Sequence, residues 1–411
     1  MVTKVPSWSA EERPLSPQMR LRRQHERIIF RAISANVAIS RTQLAELTGL
    51  SGQSVGRVAR TLLGSGLIEE TKIARSKGPG ASPIGLRLCP GGAFSLGFGL
   101  ERDYLSGVAL DLGGNIRWQM SRHLAEGETA ENTLLLLEQD IRSLLGTPEW
   151  SARRDRLCGV GVAAPGPLDV TTGTIVGPPN FPSWEHVDVA KELGRAFDLP
   201  VLIDNTATAA AIGIAWRLPH GHRPYLYCYW GIGIGGGLVI GDDVYRGTTG
   251  NAIEIGHIVV NPGGRLCECG NVGCLETEAS VRALLRDAAS YGRFRTLTEV
   301  MTAARTTPEV AALVTSAAEK MASALVSVLN VVDVDEVVLG GEHLDEVEEV
   351  FLPIIRDHIE HRAFRRRIAS TAVSVSDIGE IANAMGAAAL VFHTLLPDGL
   401  PVRDRPEAPS G

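Results

Sequence analysis

Residues 254–276 read Glu254-Ile-Gly-His257, nine residues, Cys267-Glu-Cys269, four residues, then Cys274-Leu-Glu276. One imidazole and three thiolates fill the four corners of a tetrahedral Zn2+ shell, and a shell with no open position is structural rather than catalytic. Gly263, Gly264, Gly270 and Gly273 allow the backbone to fold tightly around such an ion. His257, Cys267, Cys269 and Cys274 are therefore the expected metal ligands. A redox thiol cluster or a zinc-sensing site are the alternatives open to the same residues. Three of the 6 cysteines lie in this one stretch, which in a reducing compartment argues for metal before disulfide. Cys89, Cys158 and Cys228 stand alone in apolar settings and read as inert buried thiols.

The chain around this stretch has 411 residues, 44% of them hydrophobic and 21% charged, the profile of a globular protein with two or three compact units. No uninterrupted apolar run reaches the roughly 18 residues that cross a bilayer. Residues 1–20 are polar and carry no apolar signal core, so the expected location is the cytoplasm, away from any membrane. The net charge of −7 conceals an asymmetry. Residues 1–90 hold 14 Lys/Arg against 6 Asp/Glu, whereas the remainder holds 26 against 41. A basic unit on an acidic body implies that the first part meets a polyanion.

The sequence of the basic part says which polyanion. His25–Ala35 forms an amphipathic first helix. Ser40 is placed to cap a second, Arg41–Thr48, and Gly49 permits a tight turn. Ser51 caps a third helix, to about Leu63, in which Val55, Val58 and Leu62 face inward and Gln53, Ser54, Arg57 and Arg60 face out. Arg and Gln side chains can make bidentate contacts to guanine and adenine edges in the major groove. Residues 67–70 and Ile84–Leu88 read as two strands of a wing with Arg75, Lys77 and Gly78-Pro79-Gly80 at its tip. The expectation is a winged helix-turn-helix over 21–90 that contacts double-stranded DNA through Thr42, Gln53, Ser54, Arg57, Arg60, Arg75 and Lys77.

Downstream the pattern is α/β. Strands Phe94–Leu100 and Gly107–Asp111, helix Ala130–Leu145, and strands Leu157–Ala163 and Pro200–Ile203 make one series, followed by a helix of small residues, Ala207–Ala215. Strands Tyr225–Trp230 and Gly236–Ile240, with helices Ser280–Ser290, Pro308–Leu329 and Leu344–His361, repeat the plan. Two such series suggest an internal duplication of the ribonuclease-H-like, actin and sugar-kinase kind. The expected lobes are 91–200, completed by 381–396, and 201–380 with the zinc site. Residues 1–20 and 397–411 are polar, Pro-rich and aperiodic, and read as disordered tails.

The stretch Gly247–Glu276 resembles the signature of the ROK family of repressors, uncharacterised frames and sugar kinases. Ala164-Pro-Gly-Pro167, Pro179-Asn180, Trp184, Pro200-Val201, Asn205 and Gly231-Ile-Gly-Ile-Gly-Gly-Gly237 extend the resemblance over about residues 20–395. It implies that His257 also faces a sugar, that Glu254, Glu276 and Asn205 accept hydrogen bonds from sugar hydroxyls, and that Asn180 and Thr206 adjoin the ligand. Carboxylates make strong, charge-assisted bonds of this kind.

The resemblance fails on the side that handles nucleotide. Where family kinases carry Asp-x-Gly-Gly-Thr, this chain has Gly99-Leu-Glu-Arg-Asp103, and the bulky Arg102 blocks close backbone approach. The catalytic aspartate that follows the family asparagine is here Thr206, and a hydroxyl with no pKa near neutrality cannot act as that base. Gly231-Ile232-Gly233 lacks the hydroxyl of the usual Gly-Thr-Gly, and Gly340-Gly341-Glu342 ends in a carboxylate. On the sugar side, Thr208 replaces a common asparagine, so the pocket is altered and a ligand other than the family's common hexoses is expected. The expected protein is thus not an enzyme. It is a DNA-binding regulator of carbohydrate genes, leaning to repression, a homodimer or tetramer on a palindromic operator, controlled by a sugar or sugar derivative. An ATP-dependent sugar kinase with an accessory DNA-binding domain and a zinc-responsive regulator are the alternatives.

Overall fold

A computed structural model describes residues 17–73, 84–102, 104–125, 127–178, 183–217, 223–241 and 243–396. The chain divides into two compact units, one of residues 1–222 with 383–411 and one of residues 223–382.

The first unit opens with α1 (Pro17–Ser34), β1 (Ile39–Ser40), α2 (Arg41–Thr48), α3 (Gly52–Gly64), β2 (Ile68–Lys72) and β3 (Ile84–Leu88). A tail was expected as far as residue 20, whereas residues 17–20 are helical. α1 already begins at Pro17, because a first helical position has no intrahelical partner for its N–H and proline there forfeits nothing. α2 starts on a reciprocal cap in which the Ser40 hydroxyl accepts from the Gln43 N–H and the Gln43 side chain accepts from the Ser40 N–H. It stops at Gly49, whose φ of 68° closes the turn into α3. Ser51 caps α3, and Val55, Val58, Ala59 and Leu62 bury one face of it against Ile29, Phe30, Ile33 and Leu44. β1, β3 and β2 form a three-stranded antiparallel sheet in that order, with Ile68 opposite Leu88 and Lys72 opposite Ile84. Residues 74–83, including Arg75 and Lys77, lie outside the described residues.

The same unit continues through β4 (Phe94–Leu100), β5 (Tyr104–Asp111), β6 (Ile116–His123), α4 (Ala130–Leu145), α5 (Pro148–Ala152), β7 (Leu157–Ala164), β8 (Leu168–Asp169), β9 (Thr174–Ile175), β10 (Val187–Asp188), α6 (Val189–Phe197), β11 (Val201–Asn205) and α7 (Thr206–Arg217). Its main sheet runs β11-β7-β4-β5-β6. β4, β5 and β7 are buried along their whole length, whereas β6, the edge, is largely exposed, as its polar sequence requires. A boundary between lobes was expected at 200/201. The structure moves it to 222/223, because β11 pairs in parallel with β7, Val201 opposite Val160 through Asn205 opposite Ala164, and so cannot leave the first sheet.

The second unit comprises β12 (Tyr225–Trp230), β13 (Ile234–Ile240), β14 (Asp243–Val244), α8 (Leu275–Ala279), α9 (Val281–Ala288), α10 (Leu297–Ala304), α11 (Pro308–Val332), β15 (Glu336–Gly340), α12 (Leu344–Arg362) and β16 (Ala372–Val375). Its sheet runs β14-β13-β12-β15-β16, with an antiparallel meander on one side and parallel strands on the other. The first sheet has the same order, so the duplicated plan is present in the strand connections. α11 is long and apolar enough to cross a membrane by length and composition, although the sequence holds no uninterrupted apolar run of that length. Val314, Ala317, Ala318, Met321 and Leu325 place one side of it in the unit's core, and Glu319 and Lys320 interrupt the other.

The chain returns to the first unit with α13 (Ala382–Leu395). A Cβ on Gly161 would stand 1.8 Å from the Ala387 carbonyl oxygen, and one on Gly97 2.1 Å from that of Ala384. Glycine on β4 and β7 is what lets the α13 backbone lie directly on the sheet.

Candidate metal and ligand site

The loop between β14 and α8 is built on one strained residue. Ile253 has φ of 65°, a left-handed conformation that a β-branched side chain disfavours. Its carbonyl accepts from the Ile255 N–H at 2.8 Å, and Glu254 between them has φ −73° and ψ 62°. Those angles define an inverse γ-turn, whose tip projects the Glu254 side chain. Strain of this kind costs on the order of 1–3 kcal/mol and persists where surrounding structure imposes it, often at functional sites. A single 3-10 turn, Ile255–His257, follows and carries the imidazole.

His257 meets the cysteines as the sequence spacing anticipates. Its Nδ1 lies 3.6 Å from Cys267 Sγ, and Cys269 Sγ lies 3.6 Å from Cys274 Sγ. One donor atom from each of the four residues falls within 4.8 Å of every other, a cluster that could hold a metal ion. A tight turn brings Cys267 and Cys269 together: the Cys267 N–H bonds the Asn271 carbonyl at 2.7 Å and the Gly270 N–H returns to the Cys267 carbonyl at 2.9 Å. Gly273 has φ of 73° and no room for a side chain, since a Cβ would lie 1.5 Å from the Asn261 carbonyl oxygen. Burial, reinforced by the neighbouring Cys269 and Cys267 thiols, pushes the Cys274 thiol up to about 12. Three thiolates gathered so closely would repel one another unless a cation offset their charge, which is the chemistry of a metal-binding donor set.

Glu276, in the first turn of α8, is held from behind. Its Oε2 accepts the Ile234 N–H at 3.1 Å, and Arg282 approaches Oε1 at 3.8 Å. Gly233 leaves room for this carboxylate, because a Cβ there would sit 2.9 Å from Oε2. Glu254 is exposed by surface area, yet protein atoms surround much of its carboxyl. That desolvation raises its carboxyl above the usual value, with His257 drawing it down and Glu276 pushing it further up.

Sequence reasoning missed the bracket beneath the loop. Glu278 Oε2 accepts from Asn261 Nδ2 at 3.1 Å and from Lys320 Nζ at 3.0 Å, and Oε1 accepts the Arg265 N–H at 3.1 Å. Burial alone would raise the Glu278 carboxyl, but these donors, Lys320 foremost, outweigh it and hold it below the ordinary range. The faint signal was periodic: Glu276 and Glu278 lie two apart on one short helix and so serve different sides.

The other expected ligand groups belong to the first unit. Asn205 ends β11 and its Oδ1 accepts the Ala207 N–H at 2.9 Å, capping α7. Thr206 is 9% exposed, and its buried hydroxyl has no hydrogen-bond partner among the described residues. Asn180 lies outside the described residues. Of the expected DNA contacts, Thr42, Gln53, Arg57 and Arg60 are exposed and Ser54 half-exposed. Arg60 Nε folds back to the Gly56 carbonyl at 3.2 Å, and Ser54 Oγ sits 3.1 Å from the capping Ser51 hydroxyl. Arg57 and Gln53 stand out from the helix without such ties in the described structure.

The sequence profile of the ROK family matches residues 102–394. A xylose repressor from Caldicellulosiruptor bescii is 28% identical over 396 residues, which span 92% of this chain and 97% of that protein. The crystal structure of a ROK family transcriptional regulator, a homologue of the E. coli MLC protein, superposes with a TM-score of 0.74 at 23% identity, covering 92% of this chain and 98% of that one. A ROK family glucokinase from Streptomyces griseus, solved with glucose and AMPPNP, superposes with a TM-score of 0.60 at 27% identity, covering 72% of this chain and 99% of its own.

Proposed function

We propose that this chain, which belongs to the ROK family, is a sugar-responsive transcriptional repressor. The observation that carries the reading is one of extent. The family match begins at residue 102, and in sequence a xylose repressor aligns over 92% of the chain, whereas a glucokinase aligns over 57%. The basic three-helix segment with its small sheet precedes the family match. Residues 17–88 are proposed as a winged helix-turn-helix whose α3 enters the major groove, with Arg57 and Gln53 reading bases. Thr42, Ser54 and Arg60, with Arg75 and Lys77, are proposed to steady it on phosphates. A homodimer or tetramer acting on a palindromic operator in the cytoplasm is the assembly such a reader uses.

The effector proposed is a sugar, with xylose the first to test because relatives bear that name. Glu254, Glu276 and Asn205 would accept from its hydroxyls, and His257, Thr206 and Asn180 would adjoin it. The ion proposed for His257, Cys267, Cys269 and Cys274 is structural zinc. Zn–S and Zn–N bonds of about 2.3 and 2.05 Å in a tetrahedron set corners about 3.8 Å apart for two sulfurs and about 3.5 Å for sulfur and nitrogen. The 3.6 Å separations of both pairs support that assignment. When bound, the ion would fix the loop, and the protein's own Glu254 and Glu276 would do the recognising.

Recognition without reaction is proposed for two reasons. Thr206 offers no base. Two donors of the Gly231–Ile234 segment are also already committed: the Gly231 N–H bonds the Gly233 carbonyl at 2.9 Å and the Ile234 N–H bonds Glu276. A loop that grips phosphate needs such N–H groups free. Sugar binding would then act by favouring one of two states that differ in operator affinity.

The test is fluorescence anisotropy on an operator selected from random duplex DNA, titrated with xylose and a panel of other sugars. The expected result is a sugar-dependent change in affinity, and a loss of about 1–3 kcal/mol with some sequence discrimination for Arg57→Ala. A DNA affinity indifferent to every sugar would defeat the sensor half of the reading.

A further inference from the structure

α7 starts at residues the proposed effector would touch and ends against the support of the DNA-binding segment. At its start Asn205 Oδ1 accepts the Ala207 N–H at 2.9 Å, and the buried Thr206 hydroxyl has no hydrogen-bond partner among the described residues. Sugar hydroxyls reaching these two side chains act on the helix's first turn. Trp216, about 15 Å further along the axis, closes its last turn. The half-buried indole packs on Phe392 of α13 with centroids 5.4 Å apart, and its edge overlies Gly114, where a Cβ would stand 3.5 Å from Cδ1. Between its ends α7 crosses α13 backbone to backbone. A Cβ on Gly386 would stand 1.9 Å from the Ala209 carbonyl oxygen, and one on Gly213 2.9 Å from the Gly386 Cα. With glycine on both helices no side chains interlock at the crossing, and helices packed in this way slide past one another by about 1–2 Å in conformational changes.

From Gly114 the contacts lead to α3. Gly114 lies in the turn between β5 and β6, which Asp111 stiffens: its buried carboxylate accepts the Asn115 N–H at 2.9 Å and pairs with Arg117 at 2.6 Å. In the same turn the Leu112 N–H bonds the carbonyls of Pro90 and Ala93 at 3.1 and 3.0 Å. Pro90–Gly92 in turn lies against the base of the wing. A Cβ on Gly92 would meet the Gly66 carbonyl oxygen at 2.3 Å, and the Cys89 N–H bonds the Leu67 carbonyl at 2.9 Å. Exposed Arg156 clamps this stretch from outside, donating to the Gly91 carbonyl at 2.9 Å. The Leu67 N–H then bonds the Leu62 carbonyl at 3.1 Å, in the last turn of α3.

We propose that α7 is the rod that couples sugar binding to operator affinity, and that Trp216 is its contact with the support of the wing. Sugar hydroxyls engaging Asn205 and Thr206 shift the helix along its axis. Trp216 moves against the Gly114 turn, and Pro90–Gly92 carries the displacement to the base of the wing and to α3. Every step lies within the first unit and passes between atoms already in contact. Close-packed protein of this kind is nearly incompressible and transmits strain. Trp216 acts only through its neighbours and is a positioning residue. The inference rests on the sugar-responsive repressor reading and names the route of its regulation.

The experiment measures coupling on the full-length, metal-loaded protein. Operator Kd is taken by anisotropy with and without xylose, then with each other sugar of the panel, and sugar Kd by calorimetry with and without operator. The two ratios must agree, and the wild-type ratio is expected between about 5 and 150. Trp216→Ala should bring it below about twofold, while each affinity measured without the other ligand stays within about threefold of wild type. Arg156→Ala, on an exposed side chain, should cut the ratio at least about threefold, and the double variant should lose no more than Trp216→Ala alone. Leu137→Ala empties a buried position on α4, which has no part in these contacts, and should lower stability yet keep the full ratio. A wild-type ratio in Trp216→Ala, or in Arg156→Ala should Trp216→Ala not fold, would overturn the proposal, as would loss of the ratio in Leu137→Ala. A wild type indifferent to every sugar defeats the repressor reading and this route with it; a responsive wild type with responsive variants defeats the route alone.

Discussion

Replacing Glu278 by glutamine tests what holds the metal loop from below. The side chain is 8% exposed and receives three donors, while Lys320, its ionic partner, is 28% exposed. Glutamine preserves the shape but removes the charge and turns one acceptor into a donor facing the Arg265 N–H or the Lys320 ammonium. Hydrogen bonds to charged groups contribute about 1.5–3 kcal/mol each, and Lys320 recovers part of its loss from water. A net destabilisation of about 2–3 kcal/mol is expected. For a unit of this size that lowers Tm by roughly 4–10 °C. The pH dependence gives a second check. A carboxyl held below its unfolded value contributes stability above the unfolded pKa of about 4.3, and loses it as pH falls through the lower folded value. The gap between wild type and variant should therefore be steady from neutrality to about pH 5 and close in stronger acid. Protonation of the metal ligands affects both proteins alike and cancels. Calorimetry at several pH values is the assay. A Tm within a degree of wild type at pH 7, or a gap that survives undiminished in acid, would refute the reasoning.

Gly161→Ala should cost at least about 3 kcal/mol or abolish soluble expression, since its Cβ meets the backbone of α13 at 1.8 Å, whereas Gly56→Ala, in open space on α3, should raise stability by about 0.5–1 kcal/mol in chemical denaturation. Chelation, or Cys269→Ser, should lower metal content by mass spectrometry and lower the melting of the second unit in the same proportion; full metal loss without a change in melting would contradict a structural role. Thr206→Asp should release no ADP from ATP and magnesium with xylose or glucose in a coupled assay, because the Gly231 and Ile234 N–H groups remain committed; turnover would show that a missing base was the whole deficit.

Local signals in the sequence translated well into structure. Ser40, Gly49 and Ser51 punctuate α2 and α3 because caps and left-handed glycines act over three or four residues, and the Val55, Val58, Leu62 face is buried as its period implies. Strand membership was harder. Val201–Asn205 is three apolar residues and an Asp-Asn pair before a helix of small ones, and nothing within it says which sheet it joins. The answer lies in its pairing with Leu157–Ala164, some forty residues earlier. Only the spatial register of β11 on β7 makes the boundary fall after α7.

The metal ligands were legible because their chemistry is rare and their spacing short, and the same proximity drew attention to Glu254 and Glu276. It said nothing of how those carboxylates differ. Glu254 is presented by a strained turn whose cost appears only in the φ of Ile253, an ordinary isoleucine in the sequence. Glu276 is pinned by a backbone N–H from β13, a contact across 42 residues. Glu278 went unnoticed although its partner Lys320 is also 42 residues distant and its role is as specific. Acidic residues are common on helix starts, and a carboxylate is marked as functional or bracing only by what it faces. Composition can say that a loop is able to hold an ion. Whether its neighbouring carboxylates face a ligand or the fold itself is decided by contacts between segments far apart in the chain.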